Sequence, residues 1–187
     1  MSKVGFIGLG LMGKPMSKRI LQAGHELIVF NRSRAPVDEL VALGASAAQS
    51  PGEVAEQAEF VIIMLPDSPD VEKVVLGREG VHEGAGKDTI VIDMSTVSPF
   101  TEIKIAEILK QKGVYYLDAP VTGSTPAAEA GTLTIMVGGP REAFDKSLPI
   151  LQCMGKNIHY MGNNGAGQFT KLCNQIAVSL NLLGTCE

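Results

Sequence analysis

The chain has 187 residues, 45% of them hydrophobic and 19% charged, which is enough apolar material for one substantial core and too much for a disordered chain. Sixteen Lys and Arg against 20 Asp and Glu leave a net charge of −4, and no basic block or aromatic-basic interleaving points to nucleic acid. The longest apolar runs, such as Phe60 to Leu65, are far too short to span a bilayer, and Cys153, Cys173 and Cys186 lack C-x-x-C spacing, which argues against a metal site and fits reduced thiols in a cytoplasmic protein.

Lys3–Ile7 reads as a first strand rather than a signal peptide, because it has one early Lys, glycines close behind and no A-x-A-like cleavage pattern. It runs into Gly8-Leu9-Gly10-Leu11-Met12-Gly13 and then into a helical stretch over Leu11–Ala23. In a strand-turn-helix unit with G-x-G-x-x-G, the first glycine makes the tight turn and the second lets a pyrophosphate approach the backbone. The third lets the helix pack against the strand. The phosphates of a dinucleotide then face the positive helix N-terminus, and Pro15 falls where helix N–H groups lack partners anyway. A second strand, Glu26–Phe30, ends at Asn31-Arg32-Ser33. An acidic residue there would accept hydrogen bonds from the ribose hydroxyls and repel a 2′-phosphate. Asn31 carries no such charge, while Arg32, with Ser33 and Arg34, suits charge-assisted bonds to a 2′-phosphate. This pattern favours NADP(H) and still admits NAD(H); the plain alternative is a solvated arginine in a surface loop.

Further along, the pattern predicts helices over Val37–Leu43, Pro51–Gln57, Pro69–Leu76, Pro99–Lys112 and Arg141–Met154. The predicted strands are Phe60–Leu65, Thr89–Asp93, Tyr115–Asp118, Thr132–Val137 and a short His159–Tyr160. Gly24, Gly44 and Gly113 stand where helices stop. The alternation is that of an α/β fold, a Rossmann-type doubly wound and mostly parallel sheet. Ligands of such sheets bind outside the carboxyl ends of the strands, which singles out Leu65-Pro66-Asp67-Ser68, Asp93-Met94-Ser95-Thr96 and Asp118 to Ser124. The first two loops read equally as cofactor wall or as helix caps. In Thr122-Gly123-Ser124 the glycine frees the backbone and the hydroxyls can donate to a carboxylate, although a helix N-cap before Pro126 is the alternative.

From Gln168 onward the spacing is helical, and Lys171, Asn174, Gln175, Val178 and Asn181 share one stripe. A lysine facing a closed cleft has its pKa lowered by desolvation and can move protons; a solvated surface lysine is the alternative. Leu172, Ile176, Val178, Leu180, Leu182 and Leu183 spread over much of this helix and demand packing on several sides. The expectation is a helix that continues beyond the given chain or packs against a second copy as a homo-oligomer.

Three stretches together resemble the β-hydroxyacid dehydrogenases: Phe6 to Met16, Asp118 to Ser124, and Gly165-Ala166-Gly167 with Lys171 and Asn174. The resemblance spans essentially the whole chain. It implies hydride transfer between NADP(H) or NAD(H) and a small carboxylate-bearing aldehyde or hydroxyacid. Lys171 would be the general acid and base, with Asn174 orienting the substrate and Thr122, Gly123 and Ser124 holding its carboxylate. Gly8, Leu9, Gly10, Leu11, Met12, Asn31, Arg32, Ser33, Met64, Leu65, Pro66, Asp70, Ser95 and Thr96 would meet the cofactor. The substrate loop departs from the more common Ser-Gly-Gly, and Gln175 stands where a second Asn is frequent. The resemblance also implies a dinucleotide-binding unit over residues 1–163 and, over 164–187, the start of an interdomain helix whose all-helical C-terminal domain is absent. A non-catalytic NADP-binding or oligomerising module is therefore the alternative.

Overall fold

In the computed structural model, which describes residues 1–186, short strands with β-branched cores alternate with helices that bury one face. The first unit sets the pattern. Strand β1 (Lys3–Ile7) leads through the glycine turn to α1 (Gly13–Gln22), which buries Gly13, Met16, Ser17 and Ile20 at helical spacing. Next come β2 (Glu26–Phe30), α2 (Ala35–Val41), β3 (Ser46–Ala47), α3 (Pro51–Gln57), β4 (Phe60–Ile63), α4 (Ser68–Leu76) and α5 (Val81–Gly84). The chain continues through β5 (Ile90–Asp93), α6 (Pro99–Lys110), β6 (Tyr115–Asp118), β7 (Val121–Thr122), α7 (Ser124–Ala130), β8 (Leu133–Gly138), α8 (Arg141–Leu151) and β9 (Gly155–Gly162). It ends in α9 (Ala166–Cys186).

The nine strands form one sheet in the order β3-β2-β1-β4-β5-β6-β8-β7, with β9 on β8. Pairing is parallel from β3 to β6 and between β8 and β9, and antiparallel only where β8 meets β6 and β7. Side chains alternate between the two faces. Phe6, Ile62, Ile92 and Leu117 pack with α1, α2, α7 and α8, whereas Ile7, Val61, Ile63, Val91 and Tyr116 pack with α3 to α6. The expected doubly wound, mostly parallel α/β sheet is what forms.

Most expected elements are present with ends moved by one to three residues. The glycine stops at Gly24, Gly44 and Gly113 all have positive φ, at 87°, 106° and 71°. Helix α1 begins at Gly13 rather than Leu11, and α8 ends at Leu151 rather than Met154. The late strand is much longer than His159–Tyr160, running from Gly155 to Gly162. Its mixed polar sequence hides it, because a strand whose backbone is fixed by β8 alone does not need two apolar faces. Strands β3 and β7 have two residues each and α5 has four, too short to leave a periodic signal.

The consequence for a site lies in register. Phe30, Ile7, Ile63, Asp93 and Asp118 are successive partners across β2, β1, β4, β5 and β6. Five strand ends therefore lie in one row, and the loops that follow them open on the same edge of the sheet.

Candidate active site at the carboxyl edge of the sheet

The glycine turn divides its three glycines between fold and ligand. Gly8 has φ of 94°, and a β-carbon on it would collide with the Met64 carbonyl oxygen; one on Gly13 would collide with the Gly8 carbonyl oxygen. A β-carbon on Gly10 would meet nothing within 4 Å. The N–H groups of Gly10, Leu11 and Met12 have no protein acceptor among the described residues, and Met12, the N-cap of α1, supplies no side-chain cap. Open space, unpaired donors and a ten-residue helix with a bare N-terminus fit a pyrophosphate.

Leu9 and Asn31 are bonded to each other. The Leu9 N–H donates to Asn31 Oδ1 at 2.9 Å, and Asn31 Nδ2 donates to the Ser33 carbonyl at 3.0 Å. Asn31 thus ties the end of β2 to the glycine turn. Arg32 and Ser33 are exposed beyond it. Arg34 pairs with Asp38 at 2.7 Å, and Arg32 has no ion pair among the described residues.

Along the same edge, Met64, Leu65 and Asp70 are half-buried and Pro66 and Thr96 exposed. Asp67 caps α4 by accepting from Ser68 N at 2.7 Å. Ser95 is fully buried. It braces the edge: its Oγ accepts the Leu65 N–H at 2.9 Å, and its own N–H donates to Asp93 Oδ1 at 2.9 Å. A serine directly after a strand reads as cap or ligand contact in sequence; only the neighbouring loop, thirty residues away, makes it a brace.

Residues 122–124 turn sharply into α7. Gly123 has φ of 131° and Ser124 φ of 58°, so the position where a second glycine is common is left-handed here and occupied by serine at a cost in strain. Thr125 Oγ1 lies 3.9 Å from Met12 Sδ, which sets this loop beside the glycine turn.

Helix α9 docks at the end of the row. Asp118 accepts the N–H groups of Gly165 at 2.7 Å and Gln168 at 3.0 Å, so a carboxylate at the last position of β6 caps the helix. Burial pushes the Asp118 carboxyl up to about 6, with these N–H donors opposing the rise. Lys171, one turn on, is only 6% exposed, and burial lowers its pKa from the ordinary 10.5. Asn174 follows on the same face, and its Nδ2 is buried without a hydrogen-bond partner. Gln175 is exposed. Glu102, Tyr116 and Gln168, all buried behind this edge, were not singled out by the sequence; an isolated Glu in an amphipathic helix carries no sign that it points inward.

Residues 3–162 match the family described as the NAD binding domain of 6-phosphogluconate dehydrogenase, and the chain belongs to that family. Among curated proteins it is 44% identical, over its whole length, to the NAD-dependent L-serine dehydrogenase of Pseudomonas aeruginosa, and 42% identical over 99% of its length to the 2-hydroxy-3-oxopropionate reductase of Escherichia coli. It spans 63% of the length of each. The structure of Mycobacterium tuberculosis 3-hydroxyisobutyrate dehydrogenase with L-serine superposes with a TM-score of 0.92 at 33% identity, covering 98% of this chain and 62% of that one. The resemblance to the β-hydroxyacid dehydrogenases holds across these relatives.

Proposed function

We propose that this chain forms the cofactor-binding part, and carries the proton-transferring lysine, of an NADP(H)-dependent β-hydroxyacid dehydrogenase. The reaction interconverts a small 3-hydroxy or 2-hydroxy carboxylic acid and its semialdehyde or oxo acid. The observation that carries this reading is the pairing of a buried Lys171 amine with the unpartnered Asn174 amide on a helix docked at the same row of strand ends as the glycine turn. A bound nicotinamide cofactor supplies or accepts the hydride.

The N–H groups of Gly10, Leu11 and Met12 hold the pyrophosphate, while Met64, Leu65, Pro66, Asp70 and Thr96 form the cofactor wall, with Gly8, Leu9 and Ser95 shaping it from beneath. Arg32 and Ser33 meet a 2′-phosphate. The uncharged Asn31, already engaged by Leu9, supports NADP(H) over NAD(H), although one relative is named for NAD. Thr122, Gly123 and Ser124 hold the substrate carboxylate, and Asn174 donates to the substrate. Lys171 Nζ gives its proton to the carbonyl oxygen in reduction and takes it back in oxidation. A lysine pKa lowered by burial eases that transfer near neutrality.

The division at residues 163 and 164 follows from this reading, since α9 leaves the sheet after its first turns. Its apolar residues support self-association, and the three free cysteines suit a cytoplasmic setting. Among the described residues no helix is long and apolar enough to cross a membrane.

The test is NADPH oxidation by the chain, alone and as part of a full-length homologue-sized protein, with a panel of semialdehydes and glyoxylate. Lys171→Ala should slow reduction by about 10²-fold or more while leaving NADPH binding near parent. In the parent the rate should fall as pH rises through the lowered Lys171 pKa. An Ala variant as fast as the parent removes Lys171 from the chemistry, and binding without turnover of any substrate favours a non-catalytic NADP-binding module.

A further inference from the structure

Behind the carboxyl edge lie three carboxyl side chains, Asp93, Glu102 and Asp118, each fully buried, with no cation paired to any of them among the described residues. Two have clear partners. Asp118 caps α9, and Asp93 accepts from Ser95 N at 2.9 Å and from Tyr116 Oη at 3.4 Å. Glu102, in the first turns of α6, is different: Oε1 accepts from Gln168 Nε2 at 3.4 Å, while Oε2 is buried with no donor to serve it. A buried carboxylate oxygen without a donor is costly, but the same oxygen carrying a proton becomes a donor and needs an acceptor. Asp93 and Tyr116 face the Glu102 carboxyl; Tyr116 Oη already donates to Asp93 Oδ2 at 3.4 Å, which leaves the Asp93 carboxylate as the acceptor for that proton.

Gln168 connects this pair to both walls of the site. Its Nε2 also donates to the Ser95 carbonyl at 2.9 Å, its Oε1 accepts the Val97 N–H at 3.3 Å, and its backbone N–H is held by Asp118. Ser95 in turn holds Leu65. The chain of bonds thus runs from the loop after β4, through the loop after β5, to the first turn of α9, three residues before Lys171.

The geometry points to Glu102 as a positioning residue: a neutral acid that donates from Oε2 to Asp93 and accepts at Oε1 from Gln168, holding the cofactor-wall loops and the Lys171 helix as one unit. The catalytic meaning of that unit rests on the reading of Lys171 given above; the protonated clamp itself does not. The titratable groups facing Glu102 are Asp93 on β5 and Tyr116 and Asp118 on β6, all of them acids, and α9 presents the neutral Gln168 amide. Burial and the Asp93 charge both favour the proton staying on Glu102. A neutral glutamine is isosteric with a protonated glutamic acid and can repeat both bonds, donating to Asp93 and accepting from Gln168.

The experiment uses the full 187-residue chain without substrate. At about pH 8, where Asp118 is ionised, infrared spectra should contain a carbonyl stretch from a protonated carboxylic acid that Glu102→Gln abolishes. Amide exchange at Val97 and Gln168 should quicken about tenfold or more in Glu102→Ala, where Gln168 and Asp93 lose a partner, and should return to within about twofold of the parent in Glu102→Gln. No acid band at that pH, a band that survives Glu102→Gln, or a Gln variant exchanging as fast as the Ala variant would each overturn the inference. Should Lys171→Ala reduce substrate as fast as the parent while the band and the exchange pattern stand, the catalytic reading fails and the clamp remains.

Discussion

A β-carbon on Gly10 meets open space, whereas those on Gly8 and Gly13 strike backbone carbonyls. Gly10→Ala should therefore change unfolding stability by less than about 0.5 kcal/mol, yet weaken NADPH by about tenfold or more because the new methyl occupies the approach of the pyrophosphate. Calorimetry of unfolding and NADPH fluorescence titration on one sample check both halves; unchanged affinity would mean that the phosphates lie elsewhere. Arg32, exposed and unpaired among the described residues, makes the complementary case for the other end of the cofactor. Arg32→Ala should weaken NADPH about ten- to hundredfold and NADH by less than about threefold, and equal weakening of the two would remove the 2′-phosphate contact. At this scale the glycine spacing was legible because the turn needs Gly8 at positive φ and Gly13 against the Gly8 carbonyl, both within a few residues. Asn31 was legible only as an absence of charge. That its side chain bonds Leu9, 22 positions away, depends on β2 lying beside β1.

Helix α9 begins on a carboxylate supplied by a strand, and the burial of that carboxyl sets a pH dependence. The folded chain holds the Asp118 proton more tightly than the unfolded chain does, since the carboxyl moves from 3.8 to about 6. Its contribution to stability is therefore fully present below about pH 4 and is lost as pH rises through about 6, a change of at most about 3 kcal/mol. Asp93 and Glu102 are raised as well and act in the same direction. Urea midpoints should fall more steeply between about pH 4 and pH 7 in the parent than in Asp118→Asn, and parallel profiles would count against the assignment. The helices were legible where an apolar stripe met a proline or glycine boundary, as in α3 and α6. Strand β9 outside His159–Tyr160 and the short α5 were not, because pairing with β8 and packing against α3 and α4 hold them in place of any periodic pattern.

For the molecule as a whole, Leu172, Ile176, Leu180 and Leu183 follow one another along one side of α9 and are 42%, 63%, 63% and 63% exposed. The proposed self-association would run through this continuous apolar row. Sedimentation velocity at micromolar concentration should give a dimer, and Ile176→Glu with Leu183→Glu should return it to a monomer without loss of NADPH binding; a monomeric parent would rule out self-association through this helix. The three motifs that marked the family sit far apart in the chain, and the parallel register from Phe30 to Asp118 gathers them on one edge. The sequence by itself determined the alternation of strand and helix, the glycine turn and the lysine-bearing helix, because periodicity, backbone freedom and residue chemistry act over a few neighbours. Only the tertiary structure decided that Ser95 is buried and bonded to Leu65, that the Asn174 amide is buried while Gln175 is exposed, and that Glu102 is bonded to Gln168. The hydrogen bonds from Leu65 to Ser95 and from Gln168 to Ser95 and Glu102 join segments between 30 and 73 residues apart, and no local pattern records them.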